Sequence, residues 1–157
     1  MTFEEWKKKI TGELQELPSA MAEVHGSAAY PALQGEVRFF QTEAGVLVLA
    51  NVMGLPEQTA CGGVFGFHIH EGSDCGGDAF ADTKGHYNPK DCPHPYHAGD
   101  LPPLFSNNGS AWMAVLTDRF QLEEIIGRTV VIHLGVDDFT SQPAGNSGRK
   151  IACGVIC

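Results

Sequence analysis

The stretch Val64-Phe65-Gly66-Phe67-His68-Ile69-His70 decides how the chain is read. Phe65, Phe67 and Ile69 are apolar at every second position, and Gly66, His68 and His70 fill the positions between. Side chains alternate faces along an extended strand, so the pattern predicts a strand with its apolar side on a core and both imidazoles on the other side. Two steps of roughly 3.3 Å place the two rings about 7 Å apart along the strand. At that spacing they can converge on one metal, or they can stand as a pair of surface histidines.

The period of two continues outward. Residues 35–42 and 46–52 are rich in Val, Leu and Phe and are separated by the turn signal Glu43-Ala44-Gly45, which predicts a hairpin. Residues 110–117 and 128–133 read as further strands, with a short helical turn over 122–126 ahead of Gly127. Thr2 followed by Glu5 is a capping-box start for an amphipathic helix over 3–15. The chain therefore divides into an N-terminal helical extension, 1–23, and one domain, 24–157. Two long irregular stretches, 71–108 and 134–150, interrupt the strands, and structureless loops of that length inside a domain are functional or disordered. The first is dense in Gly, Pro, Asp, Cys and His, which favours a loop pinned by metal or disulfide.

Composition sets outer bounds. The 157 residues make one domain, and 43% hydrophobic against 18% charged excludes charge-driven disorder. Nineteen Gly and nine Pro point to turns and short elements rather than a helical bundle. A net charge of −9, from ten basic and nineteen acidic residues, argues against nucleic acid as a partner. The apolar runs are too short for a membrane-spanning helix. The N-terminus lacks the basic-then-apolar pattern of a secretory leader, which predicts a cytoplasmic protein unless a leader was removed.

The seven histidines carry the chemistry. His86, His94, His97 and Asp100 fall within fifteen residues, among Gly85, Pro89, Pro93, Pro95 and Gly99. Three imidazoles and a carboxylate fit a closed tetrahedral zinc site, which clips a loop shut and leaves no position for water. The alternative is a polar loop that happens to hold histidines. His133 ends the apolar run Thr129-Val130-Val131-Ile132, where a buried strand histidine is an equally ordinary reading.

Five motifs, in order, resemble the copper–zinc superoxide dismutases and span residues 24–156. They are Gly66-Phe67-His68-Ile69-His70-Glu71, Gly85-His86-Tyr87-Asn88-Pro89, His97-Ala98-Gly99-Asp100-Leu101 and Ile126-Gly127-Arg128-Thr129-Val130-Val131-Ile132-His133. The last is Gly145-Asn146-Ser147-Gly148 with Ile151-Ala152-Cys153-Gly154-Val155-Ile156. The resemblance implies an all-β, flattened Greek-key barrel of about eight antiparallel strands with long metal-binding loops. It implies copper on His68, His70, His86 and His133, and zinc on His86, His94, His97 and Asp100. His86 is then an imidazolate bridge. Asp137, four residues after His133, matches the aspartate that ties a copper ligand to a zinc ligand, here His68 to His94. The implied reaction converts superoxide to dioxygen and hydrogen peroxide, with His86 taking up and returning a proton. Cys75 and Cys153 match the family's disulfide, and His25 matches nothing in the metal pattern.

The chain also departs from the family. Superoxide is an anion, and a protein of −9 needs a local positive funnel at the copper. The family's arginine, three residues before the disulfide cysteine, is Lys150 here, with Arg149 beside it, and either could serve as guide. The preceding loop, 139–144, is shorter than usual and uncharged. Cys61 and Cys92 lie outside the family pattern and are either a second disulfide or two reduced thiols, and Cys157 is left unpaired. Two other functions fit less of the pattern. A copper/zinc carrier or storage module has no need of a bridging ligand, and a zinc hydrolase needs an open zinc position that Asp100 closes. Monomer and homodimer remain equally open.

Overall fold

The expected hairpin around Glu43-Ala44 forms. In the computed structural model, which describes residues 18–157, β2 (Gln34–Thr42) and β3 (Gly45–Met53) pair antiparallel from Gln34↔Met53 to Thr42↔Gly45. Val37 and Phe39 from β2, and Val46, Val48, Ala50 and Val52 from β3, all point inward and are buried, as the period of two requires. β1 (Ala20–Gly26) flanks β2, and β7 (Ala111–Thr117) flanks β3. β9 (Lys150–Val155), β8 (Thr129–His133) and β5 (Phe67–His70) complete a seven-stranded antiparallel sheet in the order β5-β8-β9-β1-β2-β3-β7. A separate ribbon of β4 (Gly63–Phe65) and β6 (Leu104–Ser106) carries Phe65 and Leu104 into the same core as Phe39, Phe67, Ile69, Val130 and Ile132. The sheet curls into a half-barrel around that core, and the described residues are mostly β, with nine strands and few helical turns.

The structure corrects the strand expected over 64–70. It is two strands in different sheets, broken at Gly66. There the Gly66 N–H donates to the Gly135 carbonyl at 2.9 Å, and the Gly66 carbonyl accepts from the His133 N–H at 2.8 Å. A Cβ at this position would stand 2.7 Å from Ser147 Oγ and 3.3 Å from His133 Cβ, so only glycine lets the chain cross here.

A one-turn helix, α1 (Leu122–Ile125), forms where a helical turn is expected and buries Ile125. The helix expected over 3–15 lies outside the described residues, and β1 begins at Ala20, ahead of residue 24. No helix among the described residues is long and apolar enough to cross a membrane.

Two features of the sheet position the histidines. Strand β5, at the edge, is covered by loop backbone: the Ile69 N–H donates to the Gly99 carbonyl at 2.8 Å, and the Tyr87 N–H to the Ile69 carbonyl at 2.9 Å. This brings Asp100 opposite His68 and His86 opposite His70. Between β8 and β9 the register slips: Ile132 pairs with Ala152, but His133 pairs with Lys150. Such a bulge re-aims the side chain at the strand end.

Candidate metal centre

His68 and His70 do stand on the face of β5 away from the apolar core, but that face is not open to solvent. Both are buried under the two long loops, at 0% and 2% exposure. Loop 71–103 lays His86, His94, His97 and Asp100 over the strand, and loop 134–149 adds Asp137. The Cys75–Cys153 disulfide, across a sequence separation of 78, ties the first loop to β9. All eight of these metal-pattern side chains, His133 included, are buried.

They form two groups that share one ring. Ligand atoms of His68, His70, His86 and His133 lie within 4.8 Å of one another, as do those of His86, His94, His97 and Asp100. Hydrogen bonds to oxygens that can only accept fix where the ring protons sit. His70 Nδ1 donates to the Lys84 carbonyl at 2.9 Å and His133 Nδ1 to the Gly148 carbonyl at 3.1 Å. Both Nε2 atoms therefore carry lone pairs, and they face each other at 3.1 Å. His68 donates from Nε2 to Asp137 Oδ2 at 2.7 Å, and its Nδ1 is buried without a partner. Facing lone pairs and an orphaned imine nitrogen in one buried group suit a cation that accepts imidazole nitrogen.

The second group is tighter. His86 Nδ1 lies 2.7 Å from Asp100 Oδ1 and 3.3 Å from His97 Nδ1, while Asp100 Oδ2 lies 3.0 Å from His94 Nδ1 and 3.3 Å from His97 Nδ1. A tetrahedron with bonds of about 2.0 Å has edges of about 3.3 Å, and the three ring nitrogens stand near that spacing from one or the other oxygen of the Asp100 carboxylate, as a closed zinc site needs. His86 Nε2 is buried without a hydrogen-bond partner, which leaves it free for the first group. The donor sets fit copper and zinc respectively.

Asp137 spans the two groups, because its second oxygen accepts from His94 Nε2 at 2.8 Å. Burial would raise its pKa, but hydrogen bonds from His68, His94 and the Phe139 N–H hold it well below the usual carboxylate range. Asp100 is likewise held down, against its burial, by His86 and the neighbouring rings. Burial pulls His68 down to about 4 and, with His68 beside it, His133 to about 3, and it holds His70 well below its ordinary value. At neutral pH these imidazoles are neutral and the carboxylates charged, which are the forms that bind metals.

Of the two candidate guides, Lys150 adjoins the four-histidine group and Arg149 does not. The Lys150 ammonium donates to Thr83 Oγ1 at 2.7 Å and to the Lys84 carbonyl at 2.9 Å, the same carbonyl that holds His70. Arg149 is exposed, with its guanidinium 6.0 Å from the Tyr30 ring centre. His25 is on the surface, 4.0 Å from Glu23. The second disulfide does not form: Cys61, in the turn before β4, and Cys92, in the loop held by Asn88, are both free thiols, as is Cys157.

Sequence reasoning misses two supports of the loop. Arg119 Nη1 donates to the carbonyls of Pro95 at 2.8 Å and of His97 and Asp100 at 3.4 Å. The Gln142 amide pairs with the backbone of His94. Both act on main-chain atoms far away in sequence, and no local pattern announces them.

Residues 33–156 match the family model described as copper/zinc superoxide dismutase. "Superoxide dismutase [Cu-Zn] 2" of Aquifex aeolicus is 36% identical over 137 residues, covering 78% of this chain and 78% of its own. The "Superoxide dismutase [Cu-Zn]" of Legionella pneumophila is 36% identical over 143 residues, 86% of this chain and 85% of its own. Among solved structures, a SOD-like protein from Bacillus subtilis superposes with a TM-score of 0.71 at 25% identity, covering 86% of this chain and 96% of its own.

Proposed function

This chain belongs to the copper/zinc superoxide dismutase family and catalyses superoxide dismutation, and we propose that it does so with copper on His68, His70, His86 and His133 and zinc on His86, His94, His97 and Asp100. The observation that carries this reading is the sharing of one ring: His86 presents Nδ1 to Asp100 at 2.7 Å and keeps a buried, unpartnered Nε2. Copper held by the four-histidine group would supply the one-electron couple that superoxide dismutation needs, while zinc, with a full d shell, would supply charge and hold the loop.

The chain's own residues do the rest. His70 and His133 are locked by carbonyls into the tautomer that offers Nε2, and Asp137 locks His68 and His94 into the one that offers Nδ1. His86 Nε2 is the atom that takes up and returns the proton, because its Nδ1 is committed on the zinc side. Lys150 supplies the positive field that draws an anion to the histidines of a −9 protein, and Arg149, out on Tyr30, does not.

The test is the copper and zinc content of the purified protein measured with superoxide consumption by pulse radiolysis. The reading predicts one equivalent of each metal and rapid consumption. Copper bound without turnover contradicts it and fits the carrier instead.

A further inference from the structure

His94 is awkwardly placed for a residue that must hold still. It sits between Pro93 and Pro95, neither of which has an N–H, and no strand or helix includes it. Its own N–H and carbonyl are thus without a ladder, in a residue that is only 2% exposed. Both are met by a single side chain from the other loop. The His94 N–H donates to Gln142 Oε1 at 2.8 Å, and Gln142 Nε2 donates to the His94 carbonyl at 2.8 Å. The amide stands in for a paired strand. The same loop also holds the ring, through His94 Nε2 and Asp137 Oδ1 at 2.8 Å. Three of the four polar atoms of His94 are therefore fixed by residues 137–142, and the fourth, Nδ1, is left facing Asp100 Oδ2 at 3.0 Å.

We propose that Gln142 is a positioning residue for zinc: its amide clasps the backbone of His94 and so aims Nδ1 into the zinc group. This rests on the reading of His94 as a zinc ligand. A neutral amide suits the place, since it meets both a donor and an acceptor without adding a charge beside Asp100 and Asp137. Gln142 is itself exposed, so truncating it lets water meet the N–H and carbonyl, and water satisfies them without holding His94 in one position. Because Asp137 on the same loop also holds His68, the clasp sets a zinc ligand and a copper ligand against one short segment.

The test uses zinc-loaded full-length protein, with zinc release into a chromophoric chelator and, in parallel, the visible spectrum of cobalt(II) substituted at the zinc position. Gln142→Ala is expected to release zinc about tenfold faster and to shift the cobalt bands. Gln142→Glu keeps the acceptor for the His94 N–H but loses the donor, so it also releases faster, and it serves if the alanine variant does not fold. Gln41→Ala, at an exposed position near the end of β2, is the control and behaves as wild type. Wild-type release and wild-type cobalt bands in both Gln142 variants overturn the clasp, whatever happens to their melting temperatures. A wild-type protein that takes up no zinc overturns the site reading, and the clasp with it.

Discussion

Gly145 lies against the hydrogen bond that joins the two loops, and adding one methyl there measures what that bond is worth. A Cβ at Gly145 would stand 2.0 Å from Asp137 Oδ1 and 2.6 Å from His94 Nε2, the two atoms that bond each other at 2.8 Å. Ordinary carbon–oxygen contact is about 3.5 Å, so the carboxylate must retreat by more than about 1 Å and the bond opens. Losing a buried hydrogen bond to a charged group costs about 2 kcal/mol. Gly145 also has φ +64°, where alanine costs a further ~1 kcal/mol. Gly145→Ala is therefore expected to lose about 3 kcal/mol in urea unfolding of the metal-free protein, and to bind zinc about 10- to 100-fold more weakly in chelator competition. Gly127→Ala separates the two effects, since Gly127 has φ +81° with nothing within 4 Å of its would-be Cβ. It should lose only about 1 kcal/mol and keep its zinc affinity. If Gly145→Ala bound zinc as tightly as wild type, the Asp137–His94 bond would not orient the ligand, and the reasoning would fail.

Other expectations follow from the same geometry. Cys75→Ser opens a loop closed over 78 residues and should lower unfolding free energy by about 4 kcal/mol in the chain-entropy model, read by urea denaturation under oxidising conditions. Lys150→Gln should cut the second-order rate with superoxide by roughly 3- to 10-fold and flatten its dependence on ionic strength with metal content unchanged, whereas Arg149→Gln should leave all three as they are. The metal-free protein should lose stability on acidification from about pH 6.5. His68 and His133 titrate at about 4 and about 3 when folded, against 6.5 for an ordinary imidazole. Between those values the unfolded chain binds more protons than the native one, so stability falls as pH falls through that window. A melting temperature constant from pH 7 to pH 4 would contradict it.

How much of this was legible in the sequence depends on whether the signal was local. His68 and His70 were readable because a strand alternates, and His86, His94, His97 and Asp100 because they crowd one short loop. Gly66 was not readable as a break, since Phe65-Gly66-Phe67 continues the alternation without a fault. What breaks the strand is contact with Gly135 and Ser147, far along the chain. Strand β9 shows no alternation because it lies between β8 and β1, and Ile151, Ala152, Cys153 and Gly154 are all buried. Lys150 and Arg149 are neighbours on opposite faces, and which one meets the Lys84 carbonyl that also holds His70 depends on the bulge opposite His133. Arg119 and Gln142 speak only to distant backbone, which no residue pattern records.

The central claim is that one ring, His86, serves two metals, and metal analysis of two variants tests it most directly. His86→Ala should lose tight binding of both copper and zinc together with dismutation, because it removes a ligand from each group. His97→Ala should release zinc while copper stays bound. A His86→Ala protein that retains a full equivalent of zinc, or dismutates at the wild-type rate, contradicts the shared ligand and with it the account of the site.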